Sequence, residues 1–173
     1  LRLGGVEVAG RGLAGHSDAD VVAHAVADAL LGGAGLDDLG TIFPASDSAW
    51  ADANSIELLR EVVARVSASG WTVGNVDTVV VAQGPKLAPY RAAMQQRLST
   101  VVGAPVSVKP KHPEGLGALG REEGIACWAT ALLNGVTYLI NDFDYPMTIN
   151  ERAPWEQAPM VPAPRDLRCF VYS

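Results

Sequence analysis

The sequence predicts an α/β fold. Strand-like and helix-like patterns alternate along the chain, and one strand carries a continuous Val79-Val80-Val81 run of the kind buried on both faces. The chain has 173 residues, 49% of them hydrophobic, enough for one domain with a sizeable core. Leu1–Val8 alternates as a strand does and is broken by the pair Gly4-Gly5. A helix follows, with Val21, Val22, Ala25, Val26, Ala29 and Leu30 at the spacing of a buried stripe and a stop near Gly32–Gly35. Ser17 suits its N-cap, with Asp20 three residues on as an acidic variant of the capping box.

Phe43–Asn54 reads as a polar loop closed by Asn54, and Glu57 three residues later marks a helix start. Ile56, Leu59, Val62, Val63 and Val66 give that second helix its apolar face, and Gly70 ends it. Val73–Gln83 is the buried strand, Gly84-Pro85-Lys86 a turn, and Pro89 the first turn of a third helix carrying Met94, Leu98, Val101 and Val102. Val106 and Val108 mark a short strand. A glycine-rich loop, Gly115–Gly120, then leads to a last helix bearing Ile125, Ala126, Ala129 and Leu132, with Cys127 in its apolar pattern. The first domain is expected to span 1–134. Residues 135–173 form a C-terminal extension, with Val136–Ile140 as an edge-strand candidate and Ala153–Pro164 as a proline-rich arm carrying Trp155.

The formal charge of −6 and the lack of a basic run argue against a nucleic-acid surface. Two cysteines, Cys127 and Cys169, are no disulfide framework and fit reduced thiols in the cytoplasm. No apolar stretch approaches the roughly 20 residues of a membrane span, and no signal peptide is visible. The chain opens at Leu1 instead of methionine, as a processed or truncated chain does.

Four segments carry polar or glycine-rich content that a core does not require. His16, Asp18, Asp20, His24 and Asp28 cluster at the mouth and along one face of the first helix, where a histidine between carboxylates suits a divalent metal. A partly buried histidine satisfied by helix neighbours fits the same spacing. A site needs about three protein ligands and one helix supplies one or two, so both readings stand. Asp37 and Asp38, just past this helix, suit a solvated turn equally well. Ala82-Gln83-Gly84-Pro85-Lys86-Leu87-Ala88 ends a buried strand, where free backbone groups meet ligands; Lys86 suits a phosphate and the backbone a base edge. Lys109–Glu114 concentrates two lysines, His112 and Glu114, suiting anionic oxygens with a metal at Glu114, or a charged surface loop. Gly117–Gly124 offers glycine N–H groups to an anion, while Arg121 and Glu123 suit an ion pair.

Taken in order, these segments resemble the 2-C-methyl-D-erythritol 2,4-cyclodiphosphate synthase family of non-mevalonate isoprenoid biosynthesis. The matching text is Gly-His-Ser-Asp-Ala-Asp-Val-Val-Ala-His, Ala-Asp-Ala-Leu-Leu-Gly, Gly-Leu-Asp-Asp-Leu-Gly, Ile-Phe-Pro, Gly-Asn-Val-Asp, Ala-Gln-Gly-Pro-Lys-Leu-Ala-Pro and Gly-Arg-Glu-Glu-Gly-Ile-Ala, running from about Leu3 to Leu133. The resemblance implies a homotrimer of α/β subunits, each an α+β sandwich of a mixed sheet with helices on one face, and active sites between neighbours. It implies attack of a 2-phosphate on the β-phosphorus of a CDP-alcohol, with expulsion of CMP. Zinc, and magnesium or manganese with the diphosphate, are the implied cofactors.

By position, the resemblance makes His24 a zinc ligand, and His16 with Ser17 faces the diphosphate. Asp38, Leu39 and Gly40 would hold the methylerythritol hydroxyls, with Phe43 to Asp47 bordering the pocket. Ala82, Gln83, Gly84, Pro85, Lys86, Leu87 and Ala88 would cradle cytosine, Glu114 would meet the second metal, and Arg121 with Glu123 would line the trimer's axial cavity.

The sequence also departs from the pattern. The family's other zinc ligands form an Asp-x-His motif upstream of the Leu-Gly-Gly strand, and the sequence opens at Leu1. Asp142-Phe143-Asp144-Tyr145-Pro146 faintly echoes that motif, as a circular permutation would, with no histidine in place. Lys111-His112-Pro113 replaces the threonine run before Glu114, Ala118 the cavity phenylalanine, and Ala45 the first acid after Phe-Pro. Lys111 and His112 suit positive charge or a proton donor for a different phosphorylated substrate, and His112, with His16, is a catalytic candidate. Two further readings are a diverged enzyme acting on another phosphorylated substrate and a non-catalytic trimeric nucleotide-binding module.

Overall fold

The computed structural model describes residues 1–14, 17–44, 53–135 and the backbone of 167–172. His16, Ala45, Asp47, Val136–Ile140, the Asp142–Pro146 echo and the Ala153–Pro164 arm lie outside the described residues. Strands β1 (Arg2–Leu3) and β2 (Val6–Glu7) pair antiparallel around Gly4-Gly5, whose φ of 57° and 74° suit the tight turns that favour glycine. Gly5 has a second reason to be glycine, because a Cβ there would lie 2.7 Å from the Ile56 side chain.

Helix α1 (Val21–Gly33) runs through the centre, burying Val22, Ala23, Ala25, Val26, Ala27, Ala29, Leu30 and Leu31. Its alanines let strand and helix neighbours approach closely, and it packs against the sheet and helix α3 (Ser55–Ala68). The N-cap is Asp20, three residues beyond Ser17; its carboxylate accepts from Val22 and Ala23 N–H and also holds the β1–β2 turn. Two cap-type residues compete here, and the tertiary bonds to Gly4 and Gly5 decide for Asp20. A single turn, α2 (Leu39–Ile42), follows with Asp38 as its cap. Helix α3 starts at Asn54, whose side chain accepts from Ile56 N–H, and buries Ile56, Leu59, Val62 and Val66.

Strand β3 (Trp71–Val81) and strand β4 (Val106–Lys111) are parallel, joined through a 3₁₀ turn at Ala88–Tyr90 and helix α4 (Arg91–Val102), the crossover that parallel pairing requires. Beyond a one-turn helix, α5 (Gly117–Gly120), strand β5 (Ala126–Gly135) returns antiparallel to β3, and strand β6 (Leu167–Tyr172) pairs antiparallel with β5. The sheet order is β4-β3-β5-β6, a mixed sheet. Val76, Thr78, Val80, Val106, Val108, Cys127, Ala129, Ala131 and Leu133 form its buried face.

Two expectations fail here. The segment from Ile125 to Leu132 is strand, not helix: Cys127, Ala129, Ala131 and Leu133 alternate inward, while the alanine-rich text fits both periods. The Val79–Val81 run is buried on one face only, at Val80, with Val79 and Val81 half-buried on the other. That second face also carries half-exposed Thr130 and Leu132 and the 36% exposed Trp128.

Candidate functional site

The first cluster forms where α1 and α3 present their N-terminal ends side by side. His24 sits one turn into α1 and is half-buried; its Nε2 lies 2.9 Å from Ser55 Oγ and 3.2 Å from Ser17 Oγ. Ser55, the first residue of α3, is 1% exposed, and its hydroxyl donates to Asp18 Oδ1, which also accepts from the Ser55 backbone N–H at 3.2 Å. Asp18 Oδ2 is buried with no hydrogen-bond partner among the described residues, and Arg2 Nε is 3.9 Å away. No hydrogen bond reaches His24 Nδ1 among the described residues.

The expected carboxylate-flanked metal face is only partly assembled. Asp20 is fully buried, and its two oxygens are engaged by N–H groups of Gly4 at 2.7 Å, Gly5 at 2.6 Å, Val22 at 3.2 Å and Ala23 at 3.0 Å. Burial pushes its carboxyl above the usual range, against the pull of those backbone donors. Asp20 is therefore a cap and a turn anchor, not a ligand beside His24. Asp28 accepts from Leu39 N–H at 2.8 Å and so ties α2 to α1; burial raises its carboxyl too, with neighbouring Asp38 adding to the rise. Asp38 itself is exposed and accepts from Thr41 N–H at 2.7 Å. Leu39 is buried and Gly40 exposed, and buried Phe43 carries the Arg65 guanidinium 5.7 Å from its ring centre.

The second cluster lies at the carboxyl ends of the parallel strands β3 and β4, where backbone groups leave the ladder. Ala82 N–H donates to Lys111 O at 3.1 Å, and Gly115 N–H donates to Gln83 Oε1 at 3.1 Å, so the 82–88 and 111–115 loops are tied together. Glu114 and Gly115 are successive left-handed residues, with φ of 54° and 74°. His112 Nδ1 accepts from Glu114 N–H at 3.2 Å and lies 3.6 Å from Glu114 Oε1. Lys86, Ala88, Lys111, His112 and Glu114 are exposed, Gln83, Gly84 and Pro85 are partly so, and Ala82 and Leu87 are buried.

A cavity of about 450 Å³ lies beside this cluster, lined by Leu1, residues 10–14, Gln83, Gly84, Pro85 and residues 122–125. Glu122, at φ 61°, sits close enough to Gly84 that a Cβ there would lie 3.2 Å from Glu122 Oε1. Arg121 and Glu123 form an exposed ion pair at 2.6 Å, the structural role that their spacing allowed. Cys127, paired with Val80 in the sheet, is buried, and burial pushes its thiol up to about 12, which favours the protonated form.

Among the described residues, no hydrogen bond or ion pair joins Ser17, Asp18, His24 or Ser55 to the 82–88 and 111–115 loops, nor do three metal-ligating side chains converge. His24 fits a metal as one ligand: one ring nitrogen has polar partners and the other is open. Ser55 was not foreseen; its signal was a hydroxyl at the first helical position, directly after the cap Asn54 and before the buried Ile56.

A family model described as the YgbB family matches residues 1–134. A 2-C-methyl-D-erythritol 2,4-cyclodiphosphate synthase of Symbiobacterium thermophilum is 53% identical over 139 residues, 78% of this chain and 88% of that protein. The enzyme of the same name from Gemmatimonas aurantiaca is 51% identical over 137 residues, 77% of this chain and 82% of that one. Among solved structures, Plasmodium falciparum IspF in complex with CDP aligns with a TM-score of 0.70 and 35% identity, covering 79% of this chain and 85% of that chain.

Proposed function

The chain belongs to the YgbB family, and on that premise we propose that it is a 2-C-methyl-D-erythritol 2,4-cyclodiphosphate synthase. It converts CDP-methylerythritol 2-phosphate to the cyclic diphosphate in non-mevalonate isoprenoid biosynthesis, in the cytoplasm. An oxygen of the 2-phosphate forms a bond to the β-phosphorus. The bond from that phosphorus to the oxygen bridging to the α-phosphate breaks, and CMP leaves with that oxygen. The reaction is phosphoryl transfer within one substrate, so positioning and charge stabilisation supply most of the rate. The observation that carries the reading is the 53% identity with a synthase over 139 residues.

In this reading Ala82–Ala88 cradle the cytosine, using backbone groups released at the end of β3. Asp38, Leu39, Gly40, Phe43 and Asp47 hold the methylerythritol moiety, and His16 and Ser17 face the diphosphate. Lys111 supplies positive charge, His112 holds a proton for the phosphate oxygens, and Arg121 lines the axial cavity. His24 would hold zinc and Glu114 magnesium or manganese, and the bound ions would supply polarisation of the β-phosphate and offset the diphosphate charge. Two polar clusters that no bond connects among the described residues support an assembly in which neighbouring copies complete each site, and the half-exposed sheet face around Trp128 supports a homotrimer. No nucleic acid and no membrane enters the reading, and among the described residues no helix is long and apolar enough to cross a membrane.

The test is CMP release from CDP-methylerythritol 2-phosphate with zinc and magnesium present. Turnover in the parent, and its loss in His24→Ala with CDP binding retained, supports the reading. CDP binding without turnover in the parent supports a binding module instead, and bound zinc with neither points to another phosphorylated substrate.

A further inference from the structure

We propose that Asp18 and Ser55 are positioning residues that fix His24 in the tautomer with hydrogen on Nε2, leaving the Nδ1 lone pair as the only ring atom free to hold a metal. The inference rests on the reading of His24 as a ligand and says which atom ligates and what holds it there.

Ser55 has one hydroxyl hydrogen, and it is donated to Asp18 Oδ1. Ser55 Oγ therefore turns a lone pair to His24 Nε2 at 2.9 Å. A lone pair on Nε2 as well would set two acceptors against each other at hydrogen-bond distance, so Nε2 carries the hydrogen. Ser17 Oγ, at 3.2 Å, is a longer second neighbour that accepts from Ala19 N–H at 3.3 Å; its own hydrogen goes to Ser55 Oγ at 3.5 Å, a contact in which Ser55, its hydrogen given to Asp18, can only accept. Nδ1, with no hydrogen bond among the described residues, is left as the acceptor nitrogen. The arrangement is rigid, since Ser55 is fully buried and Asp18 Oδ1 is also held by the Ser55 backbone N–H. A ligating imidazole oriented through its second nitrogen is the usual way a protein sets ring direction and basicity.

The test is long-range ¹H–¹⁵N correlation of the histidine rings in the purified protein, with the His24 signals assigned by their loss in His24→Gln. Hydrogen on Nε2 in the parent, a mixture of tautomers in Ser55→Ala and restoration in Ser55→Thr support the proposal. Ser55→Ala keeps the backbone N–H that Asp18 accepts, so the fold persists, and a thermal melt verifies it. Zinc affinity should fall about tenfold or more in that variant. Hydrogen on Nδ1 in the parent, or an unchanged tautomer and zinc affinity in Ser55→Ala, would overturn it. Zinc failing to bind the parent overturns the proposed function instead, and the tautomer alone then decides the positioning role.

Discussion

Replacing Asp20 removes the side chain that accepts the most backbone hydrogen bonds among the described residues. Its two oxygens accept four backbone N–H groups, from Gly4, Gly5, Val22 and Ala23, at 2.6–3.2 Å, and it is 0% exposed. In Asp20→Ala the cap bonds of α1 are lost, at about 1 kcal/mol. The buried Gly4 donor is orphaned at about 1–3 kcal/mol, and the part-buried Gly5 donor, which water reaches, at about 1 kcal/mol. Relief of the buried carboxylate's desolvation offsets part of this, so the net loss is about 2–4 kcal/mol. For a chain of this length that lowers Tm by roughly 5–15 °C. Asp20→Asn keeps one oxygen for Gly4, Val22 and Ala23 but turns an NH₂ toward the Gly5 N–H, and should lose about 1–2 kcal/mol. Urea unfolding followed by circular dichroism, at one fixed protein concentration, separates the two. Losses below about 0.5 kcal/mol in both variants would refute the view that this carboxylate joins the turn to the helix.

Other outcomes follow from the same geometry. Burial raises the Asp28 carboxyl above its unfolded value, so its contribution is full below about pH 4 and declines as pH rises through the elevated folded value. Asp28→Asn should therefore flatten the fall in stability over that interval, read from urea midpoints at several pH values; an unchanged slope contradicts the assignment. Gly120→Ala would place a Cβ 2.1 Å from the Gly115 carbonyl carbon, so the 115–120 turn must shift, costing about 1–3 kcal/mol. A midpoint within error of the parent would show that the turn yields freely. His24→Ala should abolish zinc binding, measured by metal analysis after dialysis, while leaving the oligomeric mass unchanged. Unfolding on that substitution would mark His24 as a packing residue.

Helices α1, α3 and α4 were legible because each repeats apolar residues at helical spacing between recognisable ends: Asn54 and Glu57 before α3, Pro89 before α4, and the glycines after α1. Strand β5 was not legible, because Ala126, Ala129 and Leu132 fall at helical spacing as readily as Cys127, Ala129, Ala131 and Leu133 fall at every second position. Small residues carry little information on which period is used, and the pairing with β3 decides. The cap of α1 was misplaced by three residues because what selects Asp20 over Ser17 is a turn fifteen residues earlier in the chain. The candidate site shows the same division. The loops after β3 and β4 could be located from strand ends and polar content, but the Gln83 bond that ties them is a tertiary contact. His24 stood out as a histidine between Asp20 and Asp28 on one helix face, whereas Ser55 is brought to it by the packing of α1 against α3.

The central claim is ring closure by this chain, and ³¹P NMR of the reaction with CDP-methylerythritol 2-phosphate tests it most directly. CMP should appear together with an equal amount of a cyclic diphosphate, two coupled phosphorus signals with no free 2-phosphate remaining. CMP accompanied by a linear bisphosphate, meaning that water and not the 2-phosphate attacked, would contradict it, as would an unchanged substrate spectrum with zinc bound.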